Sequence, residues 1–390
     1  MYAWGANTCG QLALGHTRDL PLPTLVTTRQ GSEQVAPALP PTMICGGANH
    51  SLLVDAAGHL WAAGSNEHGQ LGVPTPTLII APWTDVAVSA NPAAARVPCA
   101  LHWIRVPLPS DAAAIAHIAA GWAHSLVLLV SGVVIAAGDN THGQCGTTGP
   151  RFRFEPVALL PGRTRAIAAG MRHSVALSTD GRVFAWGASR HGQCGVAISP
   201  TGSIGEIPVP ASTRATGVAA GARHTLMALL YYERPGATLA LAVGDNKHGQ
   251  LGRPAADAGS VPVIRILDDA TASDPVRHVH CGWHHSTLVT ASGRVWTFGR
   301  NTHGQLGRPS GGRFDPVPRS LALPGPVHSI VAGAEHMLAL VASPSTAAVG
   351  PMRRHWTAGP LTLRFPSRAS IFPVLPSRRL SRCRRTLTYP

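Results

Sequence analysis

The sequence predicts an all-β fold: a β-propeller of six four-stranded blades, with the ring closed by pairing of the N- and C-terminal strands. Two interleaved elements predict it. A segment of the form Gly-x-(Asn/Ser)-x-x-Gly-Gln occurs six times in 390 residues, at steps of 49 to 74 residues, and a Gly-x-x-His element alternates with it. A repeat of about fifty residues indicates a ring or solenoid built from one small unit. The Gly-Gln segments begin at Gly5, Gly64, Gly138, Gly187, Gly244 and Gly299.

The copy around residues 165–195 shows the strands of one repeat. Arg165–Ala169 is short and apolar, Ser174–Leu177 alternates, and Arg182–Trp186 is β-branched and aromatic. Thr179-Asp180-Gly181 joins the last two because glycine accepts the positive φ of a hairpin turn. A fourth stretch with prolines follows each Gly-Gln segment. About four strands per repeat is the content of one propeller blade.

The two chain ends carry complementary halves of a repeat. Met1–Gly5 matches the third strand Val183–Gly187, whereas Val331–Leu340 matches the first half of a repeat. A ring that joins these halves removes the exposed sheet edges that a solenoid has to cap. Five whole repeats and two halves make six blades. A seventh requires strands from the tail, where Trp356–Gly359 resembles Trp296–Gly299.

The propeller is expected to span residues 1–340, with an insertion at about 73–114 that contains Trp83 and Trp103. This insertion is either a recognition loop or a surface excursion. Residues 341–390 are rich in Arg, Pro and Ser and hold nine arginines and no acid, which explains most of the net charge of +14. They are either a basic arm for nucleic acid, a disordered tail or a misread end of the reading frame.

Cysteine usage and hydropathy indicate an intracellular protein of the cytoplasm or nucleus. Cys145 and Cys194 occupy a position held by leucine in other repeats, so they are expected in the core, while Cys9 and Cys99 have no evident partner. We expect no signal peptide before the first strand. The longest apolar stretch, 126–137, is too short for a bilayer, which takes about 20 residues. We therefore expect no membrane partner.

The repeated polar residues are expected to be structural, with no catalytic residue, no metal and no cofactor. Equivalent histidines of a ring lie too far apart to share one zinc ion. Neighbouring His and Ser residues on a strand point to opposite faces and cannot form a triad together. The Gly-Gln segment lacks the lysine and the following helix of a phosphate loop. The residues assigned to the scaffold are His50, His124, His173, His224, His285, His336, Gln11, Gln70, Gln144, Gln193, Gln250 and Gln305.

The combined pattern, Gly-x-x-His-(Ser/Thr) followed by Gly-x-Val-(Trp/Phe)-x-(Trp/Phe)-Gly-x-Asn-x-x-Gly-Gln-Leu-Gly, resembles the repeat of the regulator of chromosome condensation family. The resemblance covers residues 1–340 and recurs six times. It implies a β-propeller, usually with seven blades, so a count of six is a departure. The opening MYAWGANTCGQLALGH resembles compact fungal members called alpha-tubulin suppressors.

The resemblance places the two variable residues of each Gly-x-x-His element on loops around one mouth of the propeller, the usual contact face of the family. Tryptophan and arginine in this set have the composition of an interface hot spot. Packing of the tryptophans onto neighbouring loops is the alternative. The candidate partner-binding residues are Asn49, Trp122, Arg172, Arg223, Trp283, His284 and Glu335.

Three functions follow as hypotheses, all for a monomer. The first is a non-enzymatic scaffold for protein partners, linked through the fungal resemblance to tRNA modification or tubulin. The second is a guanine-nucleotide exchange factor for a small nuclear-transport-type GTPase. The founding branch of the family places acids in the Gly-x-x-His gap, whereas here only Glu335 is acidic. The third is a chromatin-binding module that uses the arginine-rich tail.

Overall fold

The computed structural model describes residues 1–26, 37–74, 98–109, 114–147, 149, 151–157, 160–198, 203–234, 236–254, 264–265 and 274–341. These residues form 24 strands in five four-stranded and two two-stranded antiparallel sheets, each with its strands in chain order. The all-β prediction of about four strands per repeat is therefore confirmed. The tail after Val341 and most of the insertion lie outside the described residues.

Each complete blade begins with the strand before a Gly-x-x-His element and ends in the stretch after the next Gly-Gln segment. Blade I is β3 (Met43–Gly46), β4 (His50–Val54), β5 (Leu60–Ser65) and β6 (Cys99–Arg105). Blade II is β7 (Ile115–Ala120), β8 (His124–Leu129), β9 (Val134–Gly138) and β10 (Arg151–Pro156). Blade III is β11 (Thr164–Ala169), β12 (His173–Ser178), β13 (Val183–Gly187) and β14 (Ile204–Ile207).

Blade IV is β15 (Thr213–Ala220), β16 (His224–Tyr231), β17 (Thr238–Gly244) and β18 (Ile264–Arg265). Blade V is β19 (Val276–Cys281), β20 (His285–Thr290), β21 (Val295–Arg300) and β22 (Phe314–Leu321). The N-terminal half-blade is β1 (Tyr2–Gly5) with β2 (Leu20–Leu25), and the C-terminal half-blade is β23 (Val327–Ala332) with β24 (Met337–Val341). Strand β6 lies inside the predicted insertion, so part of that segment is the fourth strand of blade I.

Alternation along each strand divides its side chains between two neighbouring blades. In β12, Val175 and Leu177 pack in the core shared with blade IV, whereas Ala176 packs in the core shared with blade II. Cys145 and Cys194 are buried in the cores on the two sides of blade III, as their leucine-equivalent positions predict. Because both faces of a blade are covered, the strands are apolar on both sides.

A hydroxyl group fastens each blade to the one before it. In blades II to V, the Ser or Thr after the repeat histidine accepts from the histidine of the preceding blade and donates to the backbone carbonyl of that blade's Gly-Gln glutamine. The histidine contacts are His50 to Ser125 at 2.9 Å, His124 to Ser174 at 3.0 Å, His173 to Thr225 at 3.1 Å and His224 to Ser286 at 2.9 Å. The carbonyl contacts are Ser125 to Gln70 at 2.6 Å, Ser174 to Gln144 at 2.7 Å, Thr225 to Gln193 at 2.8 Å and Ser286 to Gln250 at 2.7 Å.

These contacts fix the state of the histidine ring. The single hydroxyl proton goes to the carbonyl, so the histidine Nε2 must carry a proton and donate it to the hydroxyl oxygen. Burial lowers the pKa of His173 to about 4, which keeps the ring neutral. The Nδ1 atom of His173 is buried with no hydrogen-bond partner. A charged ring in this place would leave a second N–H donor unsatisfied.

The repeat glycines leave room for this arrangement. A Cβ on Gly170 would lie 2.2 Å from Cε1 of His173 and 2.5 Å from the carbonyl oxygen of Gly221 in the next blade. The glycine that opens each Gly-Gln segment has a different role. Gly187 has a φ of 101° and its Cβ would lie 2.6 Å from the Arg172 carbonyl oxygen. Close backbone approach and a left-handed conformation both exclude a side chain at these positions.

At these four boundaries the glutamine joins the blades through its backbone carbonyl, while its side chain folds back onto its own turn. The Gln193 Oε1 atom accepts from the His191 N–H at 2.9 Å, within the same turn. All six glutamines make this contact two residues back, at 2.8–2.9 Å. The side chain therefore shapes the turn, and the shaped turn presents the glutamine carbonyl to the next blade.

The hydroxyl link ends at blade V. Met337 occupies the position of the Ser or Thr, and both ring nitrogens of His285 are buried without a partner. His336 in the C-terminal half-blade is exposed, unlike the buried histidines of the five complete blades. At the other end, Tyr2 is 62% and Trp4 49% exposed on β1. The two half-blades remain separate sheets, so closure of the ring is not shown and stays a prediction.

Two cysteines do have partners. Cys9, in the first Gly-Gln segment, and Cys99, at the start of β6, hydrogen-bond through their thiols, and this bond lowers the pKa of Cys9 to about 7. The sequence did not reveal the pair because the two residues are ninety positions apart. The contact ties the N-terminal half-blade to blade I.

We predict that mild acid destabilises the protein. Burial lowers the pKa of His50, His124, His173, His224 and His285 to about 3 or 4, below an ordinary value of 6.5. Below pH 6.5 the unfolded chain binds protons that the folded chain does not, so stability falls until the folded pKa values are reached. Each histidine contributes about 1.4 kcal/mol per pH unit in this window.

Urea unfolding between pH 7.5 and 4.5 measures this dependence. The variant His285→Gln, at the histidine with no partner, should reduce the slope by about one proton. Stability that does not change between pH 7 and 5 would show that these histidines titrate as exposed residues.

We predict that β1 and β24 close the ring in the register of the complete blades. There, the histidine of the second strand lies opposite the first glycine of the Gly-Gln segment, as His173 does opposite Gly187. Transferred to the ends, this register puts Leu338 opposite Ala3. Cysteines at both positions should form a disulfide, detected by peptide mapping, because directly opposed residues have suitable Cα separations.

The control is Leu338→Cys with Trp4→Cys, which is displaced by one residue and points to the other face. Equal cross-linking of both pairs, or of neither, would contradict this register and favour a ring with further strands between the half-blades.

Candidate functional site

The variable residues of the Gly-x-x-His elements lie in the turns between the first and second strands of the blades, and we call this set the rim. Backbone hydrogen bonds join neighbouring turns of the rim. Met171 N donates to Gly221 O at 3.3 Å, and Trp283 N donates to Ala334 O at 3.0 Å. The rim is therefore a continuous surface whose side chains differ from blade to blade.

Trp122 and Trp283 stack on one another, with ring centroids 5.0 Å apart and an angle of 26° between the rings. They belong to blades II and V, with two blades between them, so the stack crosses the ring from one side of the rim to the other. Both side chains are half-buried. The tryptophans thus combine an internal contact with an accessible aromatic surface.

Glu335, the acidic member of the candidate set, is engaged inside the protein. Its carboxylate accepts from Arg300 Nη1 and from Gln305 Nε2, each at 2.9 Å, and lies 3.6 Å from His303 Nε2. All three partners belong to the Gly-Gln segment of blade V. The charge of Glu335 is therefore compensated at the boundary with the C-terminal half-blade.

Arg172 and Arg223 line a common recess that we call the arginine recess. Its other polar lining residues are His142, Arg190, His191 and Gln193, and its described lining contains no acidic side chain. All three arginines are exposed. The pKa of His191 is lowered by burial and by the positive charges of Arg223 and Arg190, with Asp245 opposing. The recess is thus a concave, electropositive part of the rim.

His284 and Asn49 occupy different surroundings. The His284 ring lies edge-on to His248, with centroids 5.0 Å apart, and burial followed by the charges of His248 and Arg300 lowers its pKa. Asn49 is exposed on blade I, beside the N-terminal half-blade, and its carbonyl accepts from Ser65 N. The structure therefore groups the candidates into a tryptophan stack, an arginine recess and a histidine–glutamate network, with Asn49 apart.

The sequence missed Arg190, His191, Arg300 and Gln305. They belong to Gly-Gln segments, which the sequence assigned to the scaffold. In the structure these segments lie beside the two variable residues of the Gly-x-x-His element in the following blade. The sequence does show that the two elements alternate along the chain. Only their contact across a blade boundary shows that the rim is built from both.

The scaffold contacts bring histidine and serine together across blades, at 2.9 Å for His50 and Ser125. Such a pair has nucleophile–base spacing. Both residues are fully buried, and the Ser125 hydroxyl donates to the Gln70 carbonyl. Burial also lowers the pKa of His50 to about 3, far from that of a useful base at neutral pH. In this geometry the pairs join neighbouring blades.

Within the described ranges, no group of three or more His, Cys, Asp or Glu side chains has the arrangement of a metal site. No helix in the same residues is long and apolar enough to cross a bilayer.

The fold and the rim define a repeat-built β-propeller that presents variable loops on a rigid frame. Residues 1–355 match the RCC1-like domain, so the chain belongs to the RCC1-like family. This confirms the resemblance to the regulator of chromosome condensation repeat. The closer likeness to fungal alpha-tubulin suppressors stays a prediction.

Two curated relatives are secretion-regulating guanine nucleotide exchange factors. The bovine (Bos taurus) protein is 30% identical over 79% of this chain and 61% of its own length. The mouse (Mus musculus) protein is 29% identical over 87% of this chain and 72% of its own length. This chain therefore spans somewhat less than two thirds of the bovine relative.

Solved structures share the fold. Human WBSCR16 matches with a TM-score of 0.69 at 21% identity, over 88% of this chain and 82% of that one. Prp20p of Saccharomyces cerevisiae, described together with its binding to Gsp1p and histones, matches with a TM-score of 0.58 at 18% identity, over 88% and 92% of the two chains. At these identities the likeness concerns the fold alone.

We predict that Trp122→Ala and Trp283→Ala abolish the same exciton signal in the circular dichroism spectrum, because two indole rings at 5.0 Å couple electronically. Both variants should remain folded, since the rings are half-buried and outside the blade cores. The control Trp296→Ala removes a tryptophan of blade V that contacts the core shared with blade IV. Loss of the signal in the control, or its survival in either rim variant, would contradict the stack.

Proposed function

We propose that the propeller binds a small GTPase at its rim and acts as a guanine nucleotide exchange factor. The observation that carries this proposal is the similarity to secretion-regulating guanine nucleotide exchange factors over 79% and 87% of this chain. The rim supports it with an aromatic stack and exposed arginines, the side chains most common in interface hot spots. In this proposal the protein works inside the cell, in the cytoplasm or nucleus.

Exchange of this kind needs no catalytic residue. A factor that binds the nucleotide-free GTPase more tightly than the nucleotide-bound form lowers the affinity for nucleotide by the same ratio. A rim held in place by blade-to-blade hydrogen bonds suits this role, because a preorganised surface loses little entropy on binding. The free energy of the contact is then available to displace the nucleotide.

A non-catalytic scaffold is the second candidate. The observation that favours it is the engagement of Glu335 by Arg300 and Gln305, which leaves arginine as the exposed charge of the rim. A scaffold of this type would bind a protein partner, such as a tRNA-modification or tubulin-linked factor, without changing its nucleotide affinity. Chromatin binding through the tail rests on residues outside the described ranges.

The full chain should accelerate release of fluorescent GDP from at least one member of a panel of purified small GTPases. We expect an acceleration of about tenfold or more, within the usual range of coupling between linked sites. Trp283→Ala should remove most of this effect, because it halves the aromatic surface of the rim, whereas the control Trp296→Ala should not.

Capture experiments with the tagged chain separate the candidates. Retention of a nucleotide-free GTPase together with faster release supports exchange. Retention of a partner with no effect on nucleotide release favours the scaffold. If Trp283→Ala binds the same partner with unchanged affinity, the rim is not the contact face.

A further inference from the structure

At three boundaries of the rim, the residue just before the repeat histidine lies against the Gly-Gln segment of the preceding blade. The pairs are Arg223 with His191, His284 with His248 and Glu335 with Gln305. At the last boundary this residue is Glu335, and its carboxylate is held by Gln305 Nε2 and Arg300 Nη1, each at 2.9 Å. The protein thus contains one complete example of a carboxylate bound by this kind of turn.

The boundary between blades III and IV keeps the glutamine and the histidine of this turn but lacks the carboxylate, and Ala188 stands in the position of Arg300. Gln193 and His191 occupy the positions of Gln305 and His303, while Arg223 stands where Glu335 is found. Gln193 is only 2% exposed, and its Oε1 accepts from the His191 N–H at 2.9 Å. Its Nε2 amide is therefore left to donate into the recess that it lines.

At the boundary between blades IV and V, the glutamine amide has no acceptor. There His284 takes the place of Glu335, and the Nε2 atom of Gln250 is buried with no hydrogen-bond partner. A buried donor without an acceptor destabilises the folded state. Of these three boundaries, Glu335 alone satisfies the glutamine amide with an acid from the same chain.

Three arginines line the arginine recess, namely Arg172, Arg190 and Arg223. The two histidines of the lining, His142 and His191, can each donate from a ring N–H, and Asp245 is the acid that acts on His191 from blade IV. Guanidinium groups bind carboxylates through paired hydrogen bonds. Hydrogen-bond donors therefore outnumber acceptors among the described side chains that line the recess.

We propose that the arginine recess binds the carboxylate of a Glu or Asp side chain that the protein partner presents to the rim. The partner's carboxylate takes the position that Glu335 occupies at the last boundary, with Gln193 as the buried donor and the arginines as its counter-charges. This inference rests on the proposed function in one respect, namely that the rim contacts a protein. It assigns the arginine recess as the acid-recognising part of that contact.

A labelled pentaglutamate peptide tests the recess directly, with pentaglutamine as the uncharged control. Fluorescence anisotropy with the full chain should show saturable binding of pentaglutamate and none of pentaglutamine. Arg223→Glu should weaken binding about tenfold or more, because it supplies the recess with a carboxylate of its own as Glu335 does for blade V. The control Arg277→Glu makes the same charge change at the far end of β19 and should change affinity less than about twofold.

Equal losses in Arg223→Glu and Arg277→Glu would overturn the proposal, because binding would then depend on net charge alone. Displacement of the peptide by inorganic phosphate at far lower concentration than by glutarate would also overturn it, since the site would then be built for a phosphoryl group. If Arg223→Glu does not fold, Arg190→Gln tests the same donors, with an expected severalfold loss of affinity.

The peptide assay contains no GTPase, so the two proposals fail separately. If the peptide binds specifically to the recess but no GTPase shows exchange, the recess proposal is supported and the exchange proposal is contradicted. If exchange is unchanged in Arg223→Glu and no specific peptide binding is found, the exchange proposal is supported and the recess proposal is contradicted.

Discussion

The link from histidine through a hydroxyl group to the glutamine carbonyl is the interaction on which the rest of the structure depends. It operates at four successive boundaries, with histidine–hydroxyl distances of 2.9–3.1 Å among fully buried atoms. It requires a neutral histidine, a glycine that leaves room for its ring, and a turn held by the glutamine side chain. These requirements explain why so many polar residues recur together in a core that is otherwise apolar.

The same constraint places the candidate functional surface. The hydrogen bonds that hold the repeat histidine also hold the backbone of the two residues before it. The side chains of these two residues therefore lie in the same turn of each blade. The identity of these residues is free to differ, and the differences create a tryptophan stack, an arginine recess and a compensated Glu335 on one rim. A rigid frame with variable positions suits recognition, because the binding surface is already ordered before the partner arrives.

The two half-blades lack the histidine–hydroxyl link. Met337 replaces the hydroxyl residue, His285 is left without a partner, and the half-blades on either side of the seam expose Trp4 and His336. A propeller normally removes sheet edges by closure. Among the described residues the two half-blades form separate sheets, and their pairing in the register of the complete blades stays a prediction.

The sequence by itself determined the repeat, the strands and the burial of Cys145 and Cys194, because these follow from local periodicity and from positions that match between copies. It also placed the rim residues in equivalent turns. Only the tertiary structure decided which of them meet. Trp122 and Trp283 stack from non-adjacent blades, Cys9 contacts Cys99, and Arg190 joins Arg172 and Arg223 in one recess. Such contacts depend on how blades are rotated around the ring, and no pattern along the chain records that rotation.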